Sequence, residues 1–244
     1  MAEFLFLGAN GSLQDPDSGN TSLLICGSEG RVCVDLSCNI ATVTDKSVDT
    51  VILTHEHIDH VYALPSLLHQ SWLSGRTKPM RIVVPAGLEG IPETMMDLFR
   101  IREKKGMFSI SVSSETDFTV GSLHLSLFQT DHTDTSVGVV AEERGKKLVY
   151  TCDTRPITAI PELLREADVL IHEASGLENN EVVLVKKGHS SAADAARLAD
   201  ELGVKSLYLC HLPRGVEAKS LILSEAGKIF PSSFIPEILR SYCI

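Results

Sequence analysis

The sequence predicts an α+β fold made of two strand-rich halves, each flanked by helices. Short apolar or alternating runs bounded by Gly, Asn, Asp and Ser recur along the chain, which is the signature of strands. Longer segments with helical apolar spacing lie between and after them, notably 191–202, which runs through Ala192, Ala195, Ala196, Leu198 and Ala199. With 244 residues, 43% of them apolar, the chain holds enough hydrophobic material for one core. No low-complexity linker divides it, so residues 1–244 are expected to form a single domain.

In chain order, 3–8, 22–26, 31–36 and 49–54 read as strands, with Gly27-Ser28-Glu29-Gly30 as a hairpin turn. A helix should follow His60 through about Leu73, despite Pro65, and end at Ser74-Gly75. A strand at 81–84 and an amphipathic helix near 90–105 close the first half. The second half begins with strands near Ser109, Leu123 and Val137, and Glu143-Arg144-Gly145 turns the chain into a strand at 147–152. Helix 157–167, strand 169–172, helix 191–202, strand 206–210 and C-terminal helical segments complete it.

Composition excludes some functions. No run approaches the ~18 to 20 apolar residues of a membrane span, and Met1-Ala2-Glu3 lacks the basic region of a signal peptide, so a cytoplasmic, membrane-free protein is expected. The formal charge of −10, from 22 basic and 32 acidic residues, is a poor footprint for broad nucleic-acid binding, and 5% aromatics leave few stacking platforms. Six cysteines without a CxxC pair read as buried thiols in a reducing compartment. Cys152 and Cys210 each precede a candidate site residue, but period-two alternation turns them toward the opposite face, into the core.

The chemistry concentrates in Thr54-His55-Glu56-His57-Ile58-Asp59-His60, directly after the apolar run Val51-Ile52-Leu53. At a strand end His55 and His57 project from one face, while Asp59 and His60 fall where the chain turns into a helix, so one segment can serve two cations. Zinc takes roughly four ligands, and a hydrolytic site leaves one position for water, so partners must come from elsewhere. His132, Asp153 and His211 each follow a predicted strand. His189 stands in Gly188-His189-Ser190-Ser191, where a serine caps the next helix and a phosphate is welcome at its N-terminus. Neither a G-x-S-x-G elbow nor a Gly-rich phosphate loop is present.

With HxHxDH, His132, Asp153 and His211 the chain resembles the metallo-β-lactamase superfamily along most of its length. Ala63-Leu64-Pro65-Ser66-Leu67-Leu68, Asp153-Thr154-Arg155-Pro156, Leu170-Ile171-His172-Glu173-Ala174 and Gly188-His189-Ser190-Ser191-Ala192 are similar to its ribonuclease Z branch. The resemblance implies a four-layer αββα sandwich and two divalent cations, zinc by default with manganese or iron as alternatives. It implies His55, His57 and His132 on one ion, Asp59, His60 and His211 on the other, and Asp153 bridging. Two such ions hold a hydroxide between them and polarise a phosphoryl oxygen. Asp59 and His189 are the catalytic candidates, His189 to contact phosphate and protonate the leaving oxygen.

The chain also departs from that branch. Only 20 residues, 133–152, separate His132 from Asp153, where the tRNA-processing enzymes carry a long tRNA-binding arm, and Leu212-Pro213-Arg214-Gly215 replaces the usual residues after the last histidine. The expected function is a dinuclear metal-dependent phosphodiesterase acting on RNA or a small phosphodiester. The alternatives are a thioester or lactone hydrolase of the same superfamily and a redox or binding protein on the same fold. A homodimer stays open as the assembly. His69 and His124 read as structural or solvated, Glu173 as an orienting group, and Arg155 and Arg214 as either phosphate partners or salt-bridge formers.

Overall fold

The computed structural model describes residues 2–45 and 47–244, so Met1, named above, lies outside the described residues. The first sheet contains β1 (Glu3–Gly8), β2 (Ser22–Cys26), β3 (Arg31–Val34), β4 (Thr50–Ile52), β5 (Met80–Val83) and β6 (Ile110–Ser113). The second contains β7 (Asp117–Val120), β8 (Leu123–Gln129), β9 (Val137–Glu143), β10 (Lys146–Tyr150), β11 (Val169–Glu173), β12 (Ser206–Cys210) and β13 (Ser233–Phe234). The last strand, β14 (Ser241–Cys243), returns to the first sheet beside β1, so both ends of the chain share one sheet. The helices are α1 (Ile40–Asp45), α2 (Ile58–Val61), α3 (Leu64–Leu73), α4 (Gly90–Leu98), α5 (Glu181–Lys186), α6 (Ala192–Leu202) and α7 (Val216–Ile229).

Strand alternation sorts the apolar residues of the first sheet into two layers. Phe4, Phe6, Leu23, Ile25, Val32, Val34, Ile52 and Val83 face the second sheet. Leu5, Leu7, Leu24, Cys33, Val51 and Ile82 face the opposite way, onto Val43 of α1, Leu64, Leu67 and Leu68 of α3 and Met96 of α4. Tyr208 of β12 crosses the central layer and meets Phe4 edge-on, with ring centroids 5.2 Å apart. Helices α6 and α7 cover the outer face of the second sheet. This is the αββα sandwich, with mixed sheets whose parallel strands, β3 to β6 and β10 to β13, carry the site at their C-terminal ends.

Several elements differ from expectation. No helix forms at 157–167; a 3₁₀ turn at Glu162–Leu164 is all that appears, because Pro161 in the middle lacks an N–H and would clash with the preceding turn. The expected helix 60–73 is two helices, with Pro65 in the first turn of α3, where its missing N–H costs nothing. Helix 90–105 stops at Leu98, after which Arg100 adopts a left-handed backbone (φ 50°). Helices α1 and α5 and strands β7, β13 and β14 carried too weak a pattern for their length.

Candidate metal centre

The HxHxDH segment leaves a three-residue β4 and runs as a loop into α2, so loop geometry, not strand alternation, places His55 and His57. The loop is tied across the sandwich where Thr54 accepts at its carbonyl from Val137 N–H (3.0 Å). Asp153 follows β10, Glu173 ends β11 and His211 follows β12, and His211 N–H in turn donates to Thr21 Oγ1 of the facing half (2.9 Å). The C-terminal edges of two sheets thus converge on one point.

At that point His55, His57, His132 and Asp153 form one group of possible ligands and Asp59, His60 and His211 another, and Asp153 also groups with His189 and His211. His57 Nδ1 lies 3.0 Å from His55 Nε2 and 3.1 Å from His132 Nε2. Asp153 Oδ2 is 3.9 Å from His55 Nε2 and 3.7 Å from His132 Nε2. On its other side the same oxygen lies 3.5 Å from His60 Nε2 and 3.2 Å from His211 Nε2. Asp59 Oδ2 completes the second group at 3.8 Å from His60 Nε2 and 3.7 Å from His211 Nε2, and accepts from Ser12 Oγ (2.8 Å).

The donor set fits divalent cations. Gly188 O, which can only accept, binds His132 Nδ1 (2.7 Å), and the Asp35 carboxylate binds His60 Nδ1 (2.7 Å). Each Nδ1 therefore carries a proton, which leaves Nε2 as the ring atom that can ligate in the centre. His60 Nε2 and Asp153 Oδ1 are buried without a hydrogen-bond partner among the described residues, an arrangement that is costly unless a cation satisfies it. Burial pushes His55 down to about 2 and also lowers His132, which keeps both neutral and able to ligate. Burial opposes charge on His60 as well, but Asp153 and Asp35 overcome it and raise that imidazole well above its ordinary value, so the site favours positive charge here. Burial would raise Asp153, yet His211 and His60 hold it well below the usual carboxylate range.

Asp35 is the residue that sequence reasoning missed. Fully buried with a left-handed backbone (φ 57°), it accepts from Thr54 N–H (2.8 Å), Thr54 Oγ1 (2.9 Å) and His60 Nδ1, so one carboxylate orients a ligand and anchors the loop that carries the others. Its signal was an acid directly after the apolar run Val32-Cys33-Val34, the same placement as Asp153. Cys152 also needs correction. It is buried in the core, but its φ of 56° breaks the alternation, and Sγ donates to Thr54 Oγ1 at 2.9 Å and lies 3.7 Å from His55 Nδ1. The thiol therefore sits directly under the ligands, and burial holds it protonated, pushed up to about 12.

His189 stands beside both groups, its ring 5.0 Å from that of His211 and 4.9 Å from that of His132. Its Nδ1 lies 3.1 Å from each oxygen of Glu173, which is itself fully buried and also accepts from Thr154 N–H (2.6 Å) and Ser175 Oγ (2.6 Å). Burial works against a charged His189, but the Glu173 hydrogen bond and charge raise it above its ordinary value. Ser175 Oγ meets His211 Nδ1 at 2.9 Å, so Glu173 steers two histidines. Ser191 and Asp194 form a capping box that fixes the start of α6 just beyond His189. Gly188 is required where it stands: φ is 85°, and a Cβ there would lie 2.6 Å from His132 Nδ1.

The remaining candidates have these contacts. Arg155 pairs with Asp131 (2.8 Å) and donates to Val185 O, and exposed Arg214 stands 3.9 Å from Asp15. His124 pairs with Asp117 and Glu142 at the surface, and His69 stacks on Trp72.

Known proteins share this frame. A model of the beta-lactamase superfamily domain matches residues 37–212. Ribonuclease Z of Archaeoglobus fulgidus is 26% identical over 97% of this chain and 95% of its own length. The metallo-β-lactamase fold protein YhfI from Bacillus subtilis superposes with a TM-score of 0.83 at 20% identity, covering 99% of this chain and 98% of that one. The short form of human tRNase Z gives 0.77 at 20% identity, covering 99% of each chain. With more than half of its length matched by that family model, the chain belongs to the beta-lactamase superfamily.

Proposed function

We propose that this protein is a metal-dependent phosphodiesterase that binds two divalent cations, zinc by default, and cleaves small phosphodiesters or short RNA. The observation that carries this is Asp153 Oδ2, which stands within 3.9 Å of donor nitrogens from both ligand groups and so can be shared by two ions. Imidazole and carboxylate donors suit zinc, with manganese or iron as alternatives. Bound at these residues, such ions supply an activated water and polarise a phosphoryl oxygen.

The rest of the mechanism belongs to the chain. His55, His57 and His132 would hold one ion, and Asp59, His60 and His211 the other, while Asp35, Thr54, Ser175 and Gly188 fix the rings. Asp59, held by Ser12, is the second catalytic candidate beside His189. His189, held by Glu173 through Nδ1, keeps Nε2 for the substrate and delivers a proton to the leaving oxygen. The ribonuclease Z relatives are similar over nearly their whole length, which supports phosphorus chemistry over thioester or lactone hydrolysis. We take residues 1–244 as one domain, since strands from both ends pair, and propose a cytoplasmic setting, which the buried thiols of Cys33, Cys152 and Cys210 support.

Metal analysis of the purified protein, followed by assays on bis-p-nitrophenyl phosphate, a dinucleotide, a cyclic nucleotide, a thioester and a lactone, tests the reading. About two metal equivalents with phosphodiester turnover is the expected result. Turnover of the thioester or lactone alone would overturn it.

A further inference from the structure

A cavity of about 380 Å³ is lined by Tyr62, Pro65, Ser66, His69, Gln70, Phe99, Ile101 and Lys104. Tyr62 connects it along the chain to the metal centre. It follows the ligand Asp59 by three residues, and its hydroxyl accepts from Gln14 Nε2 (2.9 Å), two residues beyond the Ser12 that holds Asp59. From Tyr62 the cavity runs along α3 through positions 65, 66, 69 and 70, the spacing of one helix face.

Its walls have a mixed chemistry. Tyr62 and Phe99 expose ring surface that a soluble chain gains by covering, Phe99 at 55% exposure. Ser66, Gln70 and His69 offer hydrogen-bonding groups between them. The nearby cations are mostly neutralised: Arg100 pairs with Glu103 and Arg102 with Glu93. Lys104 is different. Among the described residues it has no carboxylate partner, and its Nζ rests 5.2 Å over the ring of Trp72. Flat apolar walls, polar edges and one cation without a counter-charge, in a chain of net charge −10, ask for a ligand that is aromatic, hydrogen-bonding and anionic. An alkyl chain would leave the polar groups and Lys104 unused.

We propose that this cavity is a subsite for one nucleoside monophosphate unit of the substrate, with its base between Tyr62 and Phe99 and its phosphate at Lys104. The inference rests on the phosphodiesterase reading and narrows the substrate to nucleotide-containing diesters.

Trp72 is the sole tryptophan and packs against both His69 and Lys104, so its fluorescence reports on the cavity and not on turnover. The metal-loaded protein is titrated with adenosine 5′-monophosphate, adenosine and inorganic phosphate. The monophosphate should give a saturable change, with adenosine and phosphate weaker. Lys104→Ala and Phe99→Ala should each weaken binding by about tenfold, the usual span for one charge-assisted contact. Thermal unfolding of both variants, each at a surface side chain, checks that they fold. Binding that both variants leave unchanged, or no saturable change, would place the nucleotide at the ions alone and overturn the subsite while bis-p-nitrophenyl phosphate is still hydrolysed. Concentration-dependent dimerisation that Phe99→Ala abolishes and the monophosphate does not compete with would make the cavity a contact between two copies, which also overturns it. Saturable binding without hydrolysis of any phosphodiester would keep the subsite and remove the phosphodiesterase reading.

Discussion

Glu173 holds His189 with both carboxylate oxygens at 3.1 Å from Nδ1, from a position with no solvent exposure. A buried carboxylate in this position fixes the ring and supports its charged form, so the free Nε2 can give up a proton. His189→Ala should keep the metals and slow phosphodiester cleavage by roughly 10²- to 10⁴-fold. The loss should shrink for leaving groups such as nitrophenolate, which need little protonation. Glu173→Gln should lower the pH at which activity falls off on the alkaline side, because it removes the charge that raises His189. An equal loss for good and poor leaving groups would assign His189 to phosphate binding or to structure.

Asp153 Oδ2 lies within reach of donors from both ligand groups, whereas Asp35 bonds directly only to His60 among the expected ligands in the described residues. Asp153→Ala should therefore abolish dinuclear occupancy and activity with the fold largely kept. Asp35→Asn should weaken binding at the His60 ion by about 10- to 100-fold, as expected for an outer hydrogen-bond partner. Metal stoichiometry after dialysis against graded chelator separates the two, and full activity in Asp153→Ala would show the bridging assignment to be mistaken.

Stability toward acid should depend on Glu143, far from the site. This buried carboxylate joins the β2–β3 turn to the β7–β8 turn, accepting from Ser28 N–H (2.7 Å), Ser28 Oγ (2.8 Å) and Ser122 Oγ. Burial would raise it, but these hydrogen bonds hold it at about 2 against an ordinary 4.5. A depressed carboxyl stabilises the fold above the unfolded value and loses that contribution as pH falls through the folded one. Its share of stability is thus complete above about pH 4.5 and gone near pH 2. Glu143→Gln should destabilise the protein at neutral pH by about 1–3 kcal/mol and flatten the decline between those values, as read by denaturant unfolding at several pH values.

Size selectivity should be weak. The interval 133–152 is filled by β9 and β10, joined by a tight turn at Arg144 and Gly145 with left-handed φ of 52° and 74°, so no arm leaves the body here. The comparison with the Archaeoglobus fulgidus enzyme runs over 293 positions, more than this chain's 244, so that relative carries extra residues. Without remote contacts, kcat/KM on pre-tRNA should gain little over that on a dinucleotide. Salt dependence should be shallow, since each neutralised phosphate adds ~0.9 to the slope of log K against log salt for duplex nucleic acid. A preference for pre-tRNA of a thousandfold or more that collapses in salt would restore a tRNA-processing role.

The sequence by itself determined strands β1 to β5 of the first sheet and singled out the candidate ligand residues, because both are written in short-range pattern. Alternation places Phe4 and Phe6 on one face of β1 and Leu5 and Leu7 on the other, and histidines gathered as HxHxDH have few purposes besides a metal. What only the tertiary structure decided depends on residues far apart in the chain or on backbone that leaves the regular wells. Asp35 reaches His60 across 25 positions, and Glu173 reaches His189 across 16, through loops whose paths no local period encodes. Cys152 turns toward His55 because a left-handed residue resets the alternation that would have pointed it away. The return of β14 to β1 pairs Tyr242 with Phe4, a register set by packing of the finished sandwich and invisible in a three-residue strand.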